Sequence, residues 1–199
     1  MNFECYAWHQ YVFKKAFQRS HLILRSFVNR DQTFYLNLFK AIVRPCLEYG
    51  TVVWSPVAQG LTDKLERVQR NFTWRIAMLK HETFTLTYPQ RLETFQLEPL
   101  EYRRLKFDLV QTYKITHGIC DLVMENFFDN PDPRTRGHSK RLREKRGIKD
   151  SRQHFFAYRV VQVWNSLSER TVCAVSIAQF KRFLSEEDLR GFLRGHALN

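Results

Sequence analysis

Apolar side chains recur every three to four residues in each strongly patterned stretch of this chain, the period that lets a helix bury one face. From Val12 to Val28 they fall at Phe13, Ala16, Phe17, Ile23, Leu24 and Phe27, which predicts an amphipathic helix with Lys14, Lys15, Arg19 and Arg25 outward. Thr33 is expected to cap a second helix through Phe34, Tyr35, Leu38, Phe39, Ile42 and Val43, which Pro45 kinks or ends by removing a backbone donor. Gly50 and Pro56 punctuate the connection to a third helix, opened by Thr62 or Asp63. Its stripe of Leu61, Leu65, Val68, Phe72, Ile76 and Leu79 covers only about 80° at 100° per residue, so a surface helix is expected.

The stretch from Glu98 to His117 instead spreads Leu100, Tyr102, Leu105, Phe107, Leu109, Val110, Tyr113 and Ile115 around its circumference. It predicts an enclosed core helix stopped by Gly118. Downstream, Phe156, Val160, Val163, Trp164 and Leu167 mark another helix. Ser176 and Gln179 form a capping-box pair for the next, with Val175 and Phe180 as a hydrophobic staple. β-Branched runs such as Thr51-Val52-Val53-Trp54 are short, and the fold class expected is all-α. The expected organisation is a helical bundle over residues 1–80, a helical core over 81–130, a basic linker or arm over 131–150, and a small helical unit over 151–199.

With 199 residues, 44% of them hydrophobic, the chain can build such a core, so disorder is a poor reading. Thirty-two Lys and Arg against 20 Asp and Glu, a formal charge of +12, point to a polyanionic partner. The surplus peaks from Arg134 to Lys149, where eight basic residues face the single acid Glu144. Pro131, Pro133, Gly137 and Gly147 disfavour a packed helix there, so the charges are expected to stay hydrated. This arm, with Arg134, Arg136, His138, Lys140, Arg141, Arg143, Lys145 and Arg146, is the expected main electrostatic contact, the alternative being a plain linker. A second candidate surface is the outer face of the third helix, where Arg67, Arg70 and Trp74 lie together with Lys64 and Arg75 on the border, guanidinium groups beside an indole in a pattern suited to phosphates and an unstacked base. The competing reading leaves that face solvated, with Trp74 packed under a neighbouring segment.

Polymerases hold two divalent metals on clustered carboxylates, and here no two Asp are adjacent. Glu186-Glu187-Asp188 reads as an ion-pair face among Arg182, Arg190 and Arg194, and the pairs Glu101–Arg104 and Arg104–Asp108 as structural. No GxxxxGK loop, GxSxG elbow or HExxH pair is present, and His117 with Cys120 lacks two further ligands. No catalytic residue, metal or cofactor is expected. Cys5, Cys46, Cys120 and Cys173 are widely spaced and read as reduced core thiols. With no membrane-length apolar run and no signal-peptide pattern at Met1, a soluble intracellular protein is expected.

An ordered set of short motifs completes the reading. It runs from Val43-Arg44-Pro45, Leu47-Glu48-Tyr49-Gly50 and Val53-Trp54-Ser55-Pro56 through Leu65-Glu66-Arg67-Val68-Gln69-Arg70 and Phe72-Thr73 to Tyr88 and Arg91-Leu92. Leu100-Glu101-Tyr102-Arg103-Arg104-Leu105, Asp108-Leu109 and Tyr113-Lys114-Ile115 come next, then Thr135-Arg136-Gly137-His138-Ser139, Phe155-Phe156, Arg159-Val160-Val161 and Trp164-Asn165-Ser166-Leu167. Over roughly residues 34–184 this order resembles the region after the catalytic palm in reverse transcriptases of jockey-like non-LTR retrotransposons. The resemblance implies a helical thumb-like bundle with a C-terminal extension, gripping RNA, DNA or an RNA:DNA hybrid without base preference. It also implies a polymerase palm as a partner, since the palm, fingers and endonuclease are not in this sequence. Ser168 stands where that pattern has Pro, and Trp74 where a basic residue is common. A domesticated protein-interaction module and an element relic without a selected role are the alternatives.

Overall fold

The computed structural model describes residues 3–28, 31–56, 58–129, 137–144 and 156–193. They are all-α, apart from one two-stranded antiparallel ribbon. The chain divides into two compact units, one running up to Arg103 and the other over Arg104–Leu193. The division falls inside a single helix.

In the first unit, α1 (Phe3–Ser26) buries Val12, Ala16 and Ile23. It starts well before the expected Val12, and Arg19 is not simply outward: its Nη1 reaches Cys46 Sγ at 2.7 Å. Asp31, rather than Thr33, caps α2 (Gln32–Leu38), its carboxylate accepting from the Thr33 N–H at 2.9 Å. Pro45 neither ends nor breaks the helical run. A π-helical turn over Phe39–Val43 leads directly into α3 (Arg44–Glu48), which has the proline near its start, and the wider turn absorbs the lost donor. Gly50 then turns the chain at φ 68°, a left-handed conformation that glycine adopts without a Cβ penalty, into the short α4 (Thr51–Trp54).

Helix α5 (Gln59–Ala77) packs Leu65, Val68, Phe72 and Ile76 into the core with α1 and the π turn, Phe72 lying 4.8 Å from Phe39. It is not the one-sided surface helix expected. Thr62, Glu66, Gln69 and Thr73 are buried as well, so the enclosed arc is about 180° at 100° per residue. Short α6 (His81–Phe84) and α7 (Tyr88–Thr94) come next, and α7 covers the added polar stripe. The Tyr88 hydroxyl donates to Glu66 Oε1, and the Leu100 N–H donates to Glu66 Oε2 at 2.9 Å. Gln69 Nε2 reaches the Glu98 carbonyl at 3.0 Å. Burial first, then the Glu66 charge and hydrogen bond, push the Tyr88 hydroxyl pKa up, so it remains a donor. Arg103 forks onto Glu48, its Nη2 lying 3.1 Å from Oε2.

Helix α8 (Leu100–Thr116) has no exposed residue, as its all-round apolar pattern requires, and Gly118 ends it at φ 62°. In the second unit Asp108 feels the expected attraction of Arg104 and is also forked by Arg159 of α9 (Phe156–Ser166), with Nε at 2.6 Å and Nη2 at 3.1 Å. Trp164 of α9 is fully enclosed, while Tyr113 stacks on Phe180 at 4.4 Å and donates to the Ala174 carbonyl at 2.6 Å. Two further helices, α10 (Glu169–Val172) and α11 (Ile177–Leu184), complete the unit's main helices.

Ser176 caps α11 as expected, accepting from the Gln179 N–H at 3.1 Å, while Gln179 reaches back one residue further, to the Val175 N–H. The expected staple does not form, because Val175 is 89% exposed. The ribbon pairs β1 (Phe128–Asp129) with β2 (Arg143–Glu144), an element too short to show as a period. Among the described residues no helix is long and apolar enough to cross a membrane.

Candidate nucleic-acid interface

The burial of α5 on two sides fixes which way its remaining side chains point. Arg67, Arg70, Asn71, Trp74 and Arg75 all lie on the exposed arc, with Lys64 half-buried at its edge. Lys64 Nζ donates to Gln10 Oε1 at 3.3 Å. The Arg70 guanidinium sits 4.9 Å from the Tyr88 ring centre, so the buried Glu66–Tyr88 pair also positions a surface cation. Among the described residues, Arg67, Arg70 and Arg75 enter no ion pair. The one acid buried in this helix, Glu66, points the other way.

Trp74 is 44% exposed and is not packed under a neighbouring segment. With Arg75 it forms one wall of a cavity of about 210 Å³ whose other wall is Phe17, His21 and Leu24 of α1. His21 lies 4.4 Å from the Phe17 ring, adding a second aromatic surface that the sequence reading did not single out. An unpaired row of guanidinium groups beside a half-open indole can neutralise phosphates and stack one base. Arg67, Arg70 and Trp74 are exposed together as expected, Arg75 is exposed beside them, and Lys64 is a half-buried border residue.

The basic arm differs from expectation. Arg134, Arg136, Lys145 and Arg146 lie outside the described residues, but Gly137–Glu144 is bound down to the second unit. His138 is 8% exposed, its Nε2 3.0 Å from the Trp164 carbonyl and its ring edge-on to that indole. It cannot meet a phosphate from there, which corrects its place among the candidate contacts. Trp164 Nε1 donates to the Lys140 carbonyl at 2.7 Å. Asn165 clamps Leu142 by both amide atoms, at 2.8 and 2.9 Å.

Lys140 and Arg141 are half-buried, and the Arg141 stem folds over Gly137 so closely that a Cβ there would stand 2.7 Å from its Cδ. Gly137 is required by its backbone, at φ 139°, while the Arg141 side chain could swing aside for a Cβ. Only Arg143 of the described basic residues in this stretch is exposed. Glu169 accepts from the Ser139 hydroxyl at 2.6 Å and from its N–H at 2.8 Å. These two bonds, then one from Cys173, lower the Glu169 carboxyl pKa to about 2.

The other acidic and sulfur candidates have structural roles. Glu187, expected on an ion-pair face, accepts from Ser168 Oγ at 2.6 Å and Thr171 Oγ1 at 2.7 Å, while Glu186 pairs with Arg170 rather than, among the described residues, with Arg182 or Arg190; Arg194 lies outside them. His117 Nδ1 lies 2.9 Å from the Tyr113 carbonyl, and among the described residues no three His, Cys, Asp or Glu could hold a metal ion. The thiols are free but not core: Cys46 and Cys120 are half-buried and Cys173 is exposed, while the Cys5 side chain lies outside the described set.

No protein-family model and no solved structure matches the chain. It is similar to the uncharacterized protein B0403.1 of Caenorhabditis elegans, at 26% identity over 104 residues. That alignment covers 52% of each chain, so the similarity extends over about half of either protein.

Proposed function

We propose that this chain is a non-catalytic nucleic-acid-binding segment, akin to the post-palm region of a non-LTR retrotransposon reverse transcriptase, that holds RNA or RNA:DNA hybrid chiefly by phosphate contacts from α5. The carrying observation is the exposed face of Arg67, Arg70, Trp74 and Arg75, whose arginines enter no ion pair among the described residues. Cations already paired to carboxylates release few counterions on meeting a phosphate, whereas these three are open to it.

The motifs behind the family resemblance support the reading in another way, because many of them meet in space. Glu48 of the Leu47–Gly50 motif holds Arg103 of the Leu100–Leu105 motif, Glu66 takes Tyr88 and the Leu100 N–H, and Asp108 takes Arg159. His138 meets the Trp164 carbonyl. Residues drawn from motifs far apart in sequence thus hold each unit together, which favours kinship in the scaffold. A palm on another polypeptide, or elsewhere in a longer one, supplies the chemistry in this proposal.

The test is binding of the purified full chain to an RNA:DNA hybrid and to single-stranded RNA over a salt series. The logarithm of affinity should fall linearly with the logarithm of salt, by about 0.7 to 0.9 per phosphate neutralised, and alike for unrelated sequences. Salt-independent binding, or none, overturns the reading. Primer extension with Mg²⁺ or Mn²⁺ should be undetectable, and template-dependent extension that survives stringent purification overturns the non-catalytic part.

A further inference from the structure

The early start of α1 brings a second aromatic and basic surface into being. Its first turns carry Trp8 and Tyr11, whose rings lie 5.6 Å apart with a 35° tilt, on the same side as Lys15 and Arg19. Across from them stand Cys46 and, at the end of α3, Tyr49, and together these residues line a cleft of about 280 Å³. At 100° per residue the cleft side of α1 is nearly opposite the side that faces Trp74. The two surfaces are therefore separable by substitution.

Several features say what the cleft takes. Three aromatic rings remain partly in water, Tyr49 at 80% exposure, although each would be more stable covered. The Tyr49 carbonyl accepts from Trp54 Nε1 at 2.6 Å, which ties the backbone that carries the ring at the cleft mouth. Lys15 Nζ lies 5.3 Å from the Tyr11 ring centre and 3.2 Å from its hydroxyl, and Arg19 is held by Cys46 Sγ and the Ile42 carbonyl. Among the described residues no carboxylate lines the cleft, and Glu48, the acid next to Tyr49, is already engaged by Arg103 and Arg44. Open ring faces beside two cations, with no acid among the described lining residues, complement a ligand that is flat, aromatic and anionic. The volume is just under the usual range for ligand pockets, about 300–1,000 Å³, and suits one ring system better than a folded partner.

We propose that this cleft stacks an unpaired base of single-stranded RNA or DNA between Trp8, Tyr11 and Tyr49, with Lys15 and Arg19 on the flanking phosphates. The inference rests on the nucleic-acid reading above and adds a base-stacking site to its phosphate contacts. It makes the chain prefer a strand with unpaired bases over a bare sugar–phosphate chain of the same charge.

The experiment compares binding of the full chain to a short oligouridylate and to an abasic oligomer of equal length. Trp8→Ala and Tyr49→Ala should each weaken oligouridylate binding about tenfold, since base–aromatic stacking contributes about 1–3 kcal/mol per base. Affinity for the abasic oligomer and the salt slope should not change, and Tyr49→Phe should bind as the wild type does. Circular dichroism of each variant separates loss of stacking from loss of fold. Alanine variants that weaken both oligomers equally, or neither, overturn the stacking site while leaving α5 binding intact. A wild-type chain that binds neither oligomer overturns the nucleic-acid reading itself. A proline-rich peptide that depends on Trp8 and Tyr49 where oligouridylate does not assigns the cleft to a peptide and overturns the proposal.

Discussion

Two stretches of this chain carry similar positive charge and use it in opposite ways. On α5 the cations stand on the one arc that the helix does not bury, and the buried Tyr88 ring holds Arg70 in place. Over Gly137–Glu144 the backbone is bound to α9 through Trp164 and Asn165, His138 is inside, and the Arg141 stem lies against Gly137. Charge density read along a sequence therefore does not measure charge available to a ligand. What decides is whether the backbone beneath the charges is committed elsewhere.

The comparison breaks most visibly at Trp164. Trp164→Ala should cost about 3–5 kcal/mol in urea unfolding, the usual cost of emptying a large aromatic site. Any folded fraction should be cut by trypsin at Arg141 and Arg143 far faster than the wild type. A cost under about 1 kcal/mol, with unchanged cleavage, would mean that the indole does not hold this stretch.

Next in size is Glu66→Ala, which leaves the Tyr88 hydroxyl and the Leu100 N–H buried without their acceptor. About 3 kcal/mol is expected, because bonds to a charged group contribute about 1.5–3 kcal/mol and orphaned donors add to the loss. Glu66→Gln, which keeps one acceptor, should lose less. Equal unfolding midpoints for wild type and Glu66→Ala would remove the polar stripe from the account of how α5 is oriented.

Acid separates the regions on a smaller scale. Burial raises the Asp108 carboxyl pKa, against the attraction of Arg159 and Arg104, so the folded chain binds that proton more tightly than the unfolded chain does. Its contribution is full below the ordinary value of 3.8 and is lost as pH rises through the raised folded value. Glu169 runs the other way: its contribution is present above 4.5 and is lost as pH falls toward about 2. Hydrogen exchange at the Ser139 amide should therefore quicken, relative to intrinsic rates, on acidification through that window. Glu169→Gln should show weak protection throughout; protection that does not depend on pH in the wild type would contradict the pairing.

The helical period was legible wherever apolar residues alone make the buried face, as in α8, α11 and the Leu65–Ile76 side of α5. It missed Thr62, Glu66, Gln69 and Thr73, since polar side chains count as outward until a partner exists, and Tyr88 and Leu100 supply that partner only from far along the chain. The same holds for His138, whose burial depends on an indole 26 residues later. Trp8 and Tyr11 stayed hidden because they lie upstream of the apolar stripe from which the first helix was read. The candidate face of α5 was readable because its cations and indole share one helical arc, whereas the arm's availability depended on packing that no local pattern encodes.

The central claim, that α5 rather than the Gly137–Glu144 stretch meets the phosphates, is tested most directly by two triple variants measured side by side. Arg67→Gln with Arg70→Gln and Arg75→Gln should leave unfolding within about 0.5 kcal/mol, as surface changes usually do. It should flatten the slope of log affinity against log salt by up to about 2 on single-stranded RNA, at about 0.7 per phosphate. Lys140→Gln with Arg141→Gln and Arg143→Gln should flatten it by less than half as much, because one of its three side chains is exposed and two are half-buried. A wild-type slope in the α5 variant, with the larger loss in the other, would contradict the account.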